Sequence, residues 1–166
     1  MRLRSGQRVQ PHMQRNERAV RLGDTHRVMS EESTTPDLVE LVRGHLAALE
    51  RHHFDATTNL YAPDAVLTSH GIGAFEGRAA IRGFYEDWFT SYEDITAEIE
   101  GALDLDNGVG FFVTVLRGCH AGSSAPVRLR YASVITVDDG LIVRSTNYLD
   151  IDQARAAAER LAEERG

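Results

Sequence analysis

The sequence predicts an α+β domain: one curved antiparallel sheet, with helices covering its concave face and enclosing a pocket. Two observations carry this. Apolar residues recur every three or four positions in two stretches of the first half, the mark of helices with one buried face. From Asp94 onward the pattern changes to alternation, in four runs separated by turn signals. Helices first and a strand meander afterwards is the α+β order rather than the alternating α/β one.

Each element has its own signal. In "STTPDLVELVRGHLAALERHHF", Pro36 suits a first helical position, and Asp37 with Glu40 has the spacing of a capping box. Leu38, Leu41, Val42, His45, Leu46 and Leu49 then share one helical face. A short second helix is expected in "DATTNLYA", stopped by Pro63, and a brief strand in "AVLTSH", ending at Gly71 and Gly73. A third helix starts at Arg78 and shows Ile81, Phe84, Tyr85, Trp88 and Phe89 on one side. The runs "DITAEIEGALDL", "GVGFFVTVLRG", "VRLRYASVITV" and "LIVRSTNYLDI" read as strands. Between them, "LDNG" and "DDG" are hairpin turns and "CHAGSSAP" is a longer loop. The tail "DQARAAAERLAEERG" is an Ala-rich helix. No internal repeat is present.

A chain of 166 residues, 42% of them hydrophobic, is about one domain with a substantial core. No run approaches the roughly 18 apolar residues of a membrane span. The single cysteine, Cys119, cannot form an intrachain disulfide, which fits a cytoplasmic location. All 18 basic residues are arginine. Without a lysine there is no Schiff-base chemistry, no covalent pyridoxal phosphate and no P-loop. Residues 1–28 carry seven arginines against Glu17 and Asp24, whereas the remaining 11 arginines face 23 acidic residues. An acidic body is a poor nucleic-acid binder. The basic head lacks the apolar core of a secretory signal and any face to bury. An arm touching nucleic acid, a transit-like segment and a stretch upstream of a start at Met29 all fit it. It is expected to be an extension that the fold does not need.

The runs "LVRGHLAALERHHFDATTNLYAPDAVLTSHG" and "FEGRAAIRGFYEDW", with the closing "DDGLIVRSTNYLDI", resemble a SnoaL-like domain. This is the superfamily of nuclear transport factor two, steroid Δ-isomerase, polyketide cyclases and limonene-epoxide hydrolase. The resemblance spans residues 36–152 and implies three segments. Residues 1–34 are a disordered Arg-rich extension, 35–152 the SnoaL-like domain and 153–166 a C-terminal helix. It also implies a homodimer through the outer sheet face, where Arg117, Arg128, Arg130 and Arg144 stand with Glu98 and Glu100.

Carried over position by position, the resemblance removes activities. Where steroid isomerases have a tyrosine donor, this chain has His45. Their aspartate base falls on Ser69, and their protonated aspartate falls near Ser133. Proton transfer of that type needs a carboxylate and a neutral acid, and serine is neither. The late aspartate of the epoxide hydrolases falls on Asn147, while Phe112 and Thr114 stand where their earlier arginine and aspartate lie. Neither standard activity is expected.

Strand alternation supplies the faces: Tyr131 and Ser133 oppose Arg128 and Arg130, and Phe112 and Thr114 oppose Val113 and Val115. The resemblance turns the first set of each pair inward. The expected cavity then holds His45, Ser69, His70, Tyr131, Ser133 and Asn147 among Phe84, Trp88 and Phe112. Such a lining suits a flat hydrophobic small molecule. Each polar member also has a plainer role: His45 and Asn147 as satisfied core residues, Ser69 and His70 as turn formers. His45, His52 and His53 do not form a metal set, and Cys119 beside His120 in a loop does not form a nucleophile pair. No cofactor is implied. Two functions follow. One is a cofactor-free cyclase, isomerase or dehydratase using His70 and His45 for acid–base work. The other is a ligand-binding or dimeric scaffold module without chemistry.

Overall fold

The computed structural model describes Arg18–Ala19 and residues 37–166. The expected extension, residues 1–34, lies outside the described residues except for Arg18–Ala19. These two form a short strand, β1, paired antiparallel with Leu103–Asp104.

Helix α1 (Leu38–Glu50) starts where expected, because the Asp37 carboxylate accepts a hydrogen bond from the Val39 N–H at 3.4 Å. Its buried face is Leu38, Val39, Leu41, Val42, His45, Leu46 and Leu49. Helix α2 (Phe54–Thr58) ends earlier than the sequence suggests. Pro63 does not stop a helix: it lies inside strand β2 (Tyr61–Ser69), where the pairing register shifts between Tyr61 and Val66. A bulged stretch has no ladder bond for the missing N–H to break.

Strand β3 (Gly73–Glu76) was not expected. It folds back on β2 through the turn His70–Gly71–Ile72, closed by the Ile72 N–H donating to the Ser69 carbonyl at 2.9 Å. Four residues carry too little alternation to announce a strand. Helix α3 (Arg78–Thr90) buries Ile81, Tyr85 and Phe89.

The meander is β4 (Tyr92–Asp104), β5 (Val109–His120), β6 (Pro126–Asp138) and β7 (Leu141–Tyr148). Asp106, Asn107, Asp139 and Gly140 have φ between 52° and 79°, as the two tight turns require. The sheet is curved and unclosed, in the order β1-β4-β5-β6-β7-β2-β3. One pair corrects the expectation of an antiparallel sheet throughout: β2 and β7 run parallel, with Ser69 opposite Asn147. The long crossover through β3, α3 and the meander makes that direction possible.

Helices α1, α2 and α3 share a core with one sheet face, built on Leu49, Phe54, Tyr61, Leu67, Ile81 and Phe112. The C-terminal helix α4 (Ile151–Arg165) lies elsewhere. Its Ala154, Ala158 and Ala162 pack against Leu103, Phe111, Val113 and Val134, on the opposite face. Alanine every fourth residue lets the helix approach the sheet closely. Arg165 fixes its end, donating to the Asn107 carbonyl at 2.8 Å and pairing with Asp138 at 2.7 Å. The outer face is thus half covered by the chain itself. On its exposed half, Arg117 pairs with Glu98 at 3.1 Å and Arg130 with Glu100 at 2.8 Å. Four of the six charged residues that suggested a second copy thus pair within one chain.

Candidate functional site

Helices α1 and α3 do not fill the space above the sheet. A cavity of about 370 Å³ remains between them. Strand alternation decides what faces it. Ser69, Asn147, Ser133 and Phe112 stand in one register row across β2, β7, β6 and β5, and Thr114 stands opposite Tyr131 in the next. All nine residues expected at the site line this cavity: His45, Ser69, His70, Phe84, Trp88, Phe112, Tyr131, Ser133 and Asn147. Among the described residues no aspartate, glutamate or arginine does so.

The polar lining forms two hydrogen-bonded groups. The Ser133 hydroxyl donates to the Asn147 side-chain oxygen at 2.8 Å. An amide has two N–H donors besides that oxygen, so Asn147 keeps donors for another partner. The second group runs through α1, α3 and β2. His45 Nε2 lies 3.3 Å from the Tyr85 hydroxyl, which lies 2.8 Å from the Tyr61 hydroxyl, which in turn bonds Ser145. His45 Nδ1 is buried with no partner. Orphaned N–H groups are rarer than orphaned acceptors, which places the ring proton on Nε2. With that proton His45 donates to Tyr85; between Tyr85 and Tyr61 either hydroxyl can donate, and Tyr61 also bonds Ser145, so Tyr85 keeps its own proton for another partner when Tyr61 donates to it.

Burial keeps this network uncharged. It lowers the His45 imidazole to about 4, so the ring is neutral at pH 7. It raises the phenols of Tyr61 and Tyr85, and pushes Tyr131 up to about 12, against a smaller opposing effect of the bond to Thr114.

His70 is placed differently. Ser69 opposes Asn147, and the next residue, past the end of the strand, is exposed at the cavity's edge: the His70 ring lies tilted against Tyr148, centroids 4.3 Å apart. Its backbone N–H donates to the Asn147 carbonyl at 3.1 Å. Ser69 faces inward and His70 holds the rim. Sequence reasoning missed Tyr61, Tyr85 and Ser145 as polar members, while Thr114 faces inward as the resemblance implied. The available signal was Tyr85 itself, since a phenol on an apolar helix face needs a buried partner.

The family model for the SnoaL-like domain matches residues 42–145, most of the described chain. The chain belongs to the SnoaL-like family. No curated protein matches it in sequence. Solved structures do share the fold. A protein with a ketosteroid isomerase-like fold from Catenulispora acidiphila, in complex with trimethylamine, is 23% identical, with a TM-score of 0.61 over 75% of this chain and 94% of that one. An epoxide hydrolase from Mycobacterium tuberculosis, of the LEH-like type, is 18% identical, with a TM-score of 0.57 over 73% and 88%. Another M. tuberculosis protein, in complex with estradiol-17beta-hemisuccinate, is 17% identical, with a TM-score of 0.60 over 69% and 94%. At these identities the likeness is one of fold. Among the described residues of this SnoaL-like chain, no helix is long and apolar enough to cross a membrane and no cluster of three His, Cys, Asp or Glu side chains could hold a metal ion.

Proposed function

We propose that this SnoaL-like chain binds a flat, uncharged, largely apolar small molecule, held by hydrogen bonds from Asn147 and from the Tyr85 hydroxyl of the buried network. One observation carries the reading: the cavity is open, and every ionisable group shown above to lie within its buried network is neutral at pH 7. A charged ligand would lose its hydration there without gaining a counter-charge. Two of the proteins that share the fold hold small ligands, trimethylamine in one and estradiol-17beta-hemisuccinate in the other.

Trp88 lines the cavity and is the chain's single tryptophan, so its emission reports occupancy. Titration with 2-tetralone, a neutral two-ring ketone, should give a saturable change. Asn147→Ala and Tyr85→Phe should each weaken it by about fivefold, the worth of one hydrogen bond. No saturable change with the wild-type chain would overturn the reading.

A second reading keeps the pocket and adds cofactor-free acid–base chemistry of the cyclase, isomerase or dehydratase class. The position of His70 at the rim favours it, since an imidazole there lines the cavity while its residue stays open to water. His45, neutral to about pH 4 and with its one N–H given to Tyr85, would orient the Tyr85 hydroxyl toward a carbonyl rather than act as a base. In that reading His70→Gln abolishes turnover while leaving affinity within a few-fold. Turnover that survives His70→Gln removes it.

A further inference from the structure

Two large apolar side chains are exposed among the described residues, Ile72 at 57% and Leu149 at 65%, and both line the same cavity. Their meeting follows from topology. Because β2 and β7 run parallel, both strands leave the sheet at the same end, just past the Ser69–Asn147 pair. Ile72 is then carried outward by the β2–β3 turn, between Gly71 and Gly73, both at positive φ and with nothing packed against their Cα positions. Leu149 continues the inward-facing series of β7 beyond its last paired residue.

That series changes character along its length. Ser145 is joined to the buried phenol network, Asn147 is bonded to Ser133, and Leu149 is apolar and open to water. The cavity therefore runs from a hydrogen-bonding interior to a mouth where Ile72 and Leu149 stand beside His70 and Tyr148. A ligand wholly inside would leave Ile72 and Leu149 as exposed as before.

We propose that the ligand is a molecule in two parts: an uncharged ring portion carrying a carbonyl or hydroxyl inside, and an unbranched alkyl or alkenyl chain leaving between Ile72 and Leu149. The inference rests on the pocket reading given above and adds the chemical class of its ligand. The chain covers the two exposed side chains and is covered by them, and each methylene buried on both sides adds apolar contact without any polar group to satisfy. No lid is needed, since the ligand itself closes the mouth.

The test is a series of 2-tetralones alkylated at the 6-position with zero to ten carbons, titrated by Trp88 emission. With the wild-type chain, affinity should rise about two- to fourfold per methylene, from partial to full burial, and keep rising until the chain passes the two side chains. In Ile72→Ser/Leu149→Ser, the unsubstituted ketone should bind within about twofold of wild type, while the long-chain members should lose about tenfold or more. Equal chain-length dependence in both proteins would overturn the two-part ligand and leave the pocket reading standing. A wild-type affinity that falls as the chain lengthens would do the same. If no member of the series binds, the pocket reading itself fails and the proposal with it.

Discussion

Phe111 and Phe112 are neighbours on β5, each almost fully buried, and they belong to different worlds. Phe111 points at α4, into a seam closed by Ala154, Ala158 and Ala162. Phe112 points at α1 and α3, into a space those helices leave open. Beneath α4 the outer face of the sheet is packed without a hollow. The other is built with buried polar groups around a hollow that its own side chains do not fill. A scaffold needs only the first kind of face.

The largest expected effect separates these two phenylalanines. Phe111→Ala opens a cavity in a filled seam and should cost about 3–5 kcal/mol in denaturant unfolding. Phe112→Ala enlarges a space that already exists, so fewer contacts are lost, and it should cost about 1–2 kcal/mol less. Equal costs would mean that the hollow closes in solution.

The next effect is a pH dependence confined to the cavity face. The His45 imidazole has its folded value lowered from 6.5 to about 4 by burial. The unfolded chain therefore binds a proton between those values that the folded chain refuses. Stability is fully present above pH 6.5 and is lost as pH falls toward 4, by on the order of 3 kcal/mol. His45→Gln should flatten the stability profile in that window relative to wild type. An unchanged slope would place the imidazole in water.

Tyr85→Phe should cost about 1–3 kcal/mol, because it strands His45 Nε2 and leaves Tyr61 only its bond to Ser145. The smallest effect lies on the outer face. Arg130→Ala removes an ion pair that is about half exposed and should cost less than about 1 kcal/mol. A larger loss, with a halved mass in sedimentation, would reveal a second copy seated there.

Much of this was legible in the residues. The period-3.6 faces of α1 and α3 and the alternation of β4 to β7 group the side chains by face, and the resemblance to the SnoaL-like family turns the set from Phe112 to Asn147 inward. Three features were not legible. The parallel pairing of β2 with β7 depends on a crossover whose path no local pattern records. The bulge that accommodates Pro63 looks, in sequence, like a helix stop. The place of α4 depends on a stripe of alanines, which favours a helix anywhere and names no partner. At the site, Tyr61 and Tyr85 were hidden because each occupies an apolar position and only their hydroxyls, 2.8 Å apart in the fold, show the network.

The central claim is that the hollow is a site for an uncharged molecule. It is tested most directly by titrating the wild-type chain at pH 7 with 2-tetralone and with tetralin-2-carboxylate, which differ little in shape and by one full charge. The ketone should saturate the Trp88 signal and the carboxylate should bind at least about a hundredfold more weakly, the consequence of burying a charge among neutral groups. A carboxylate that binds as well as the ketone, or better, would contradict the account.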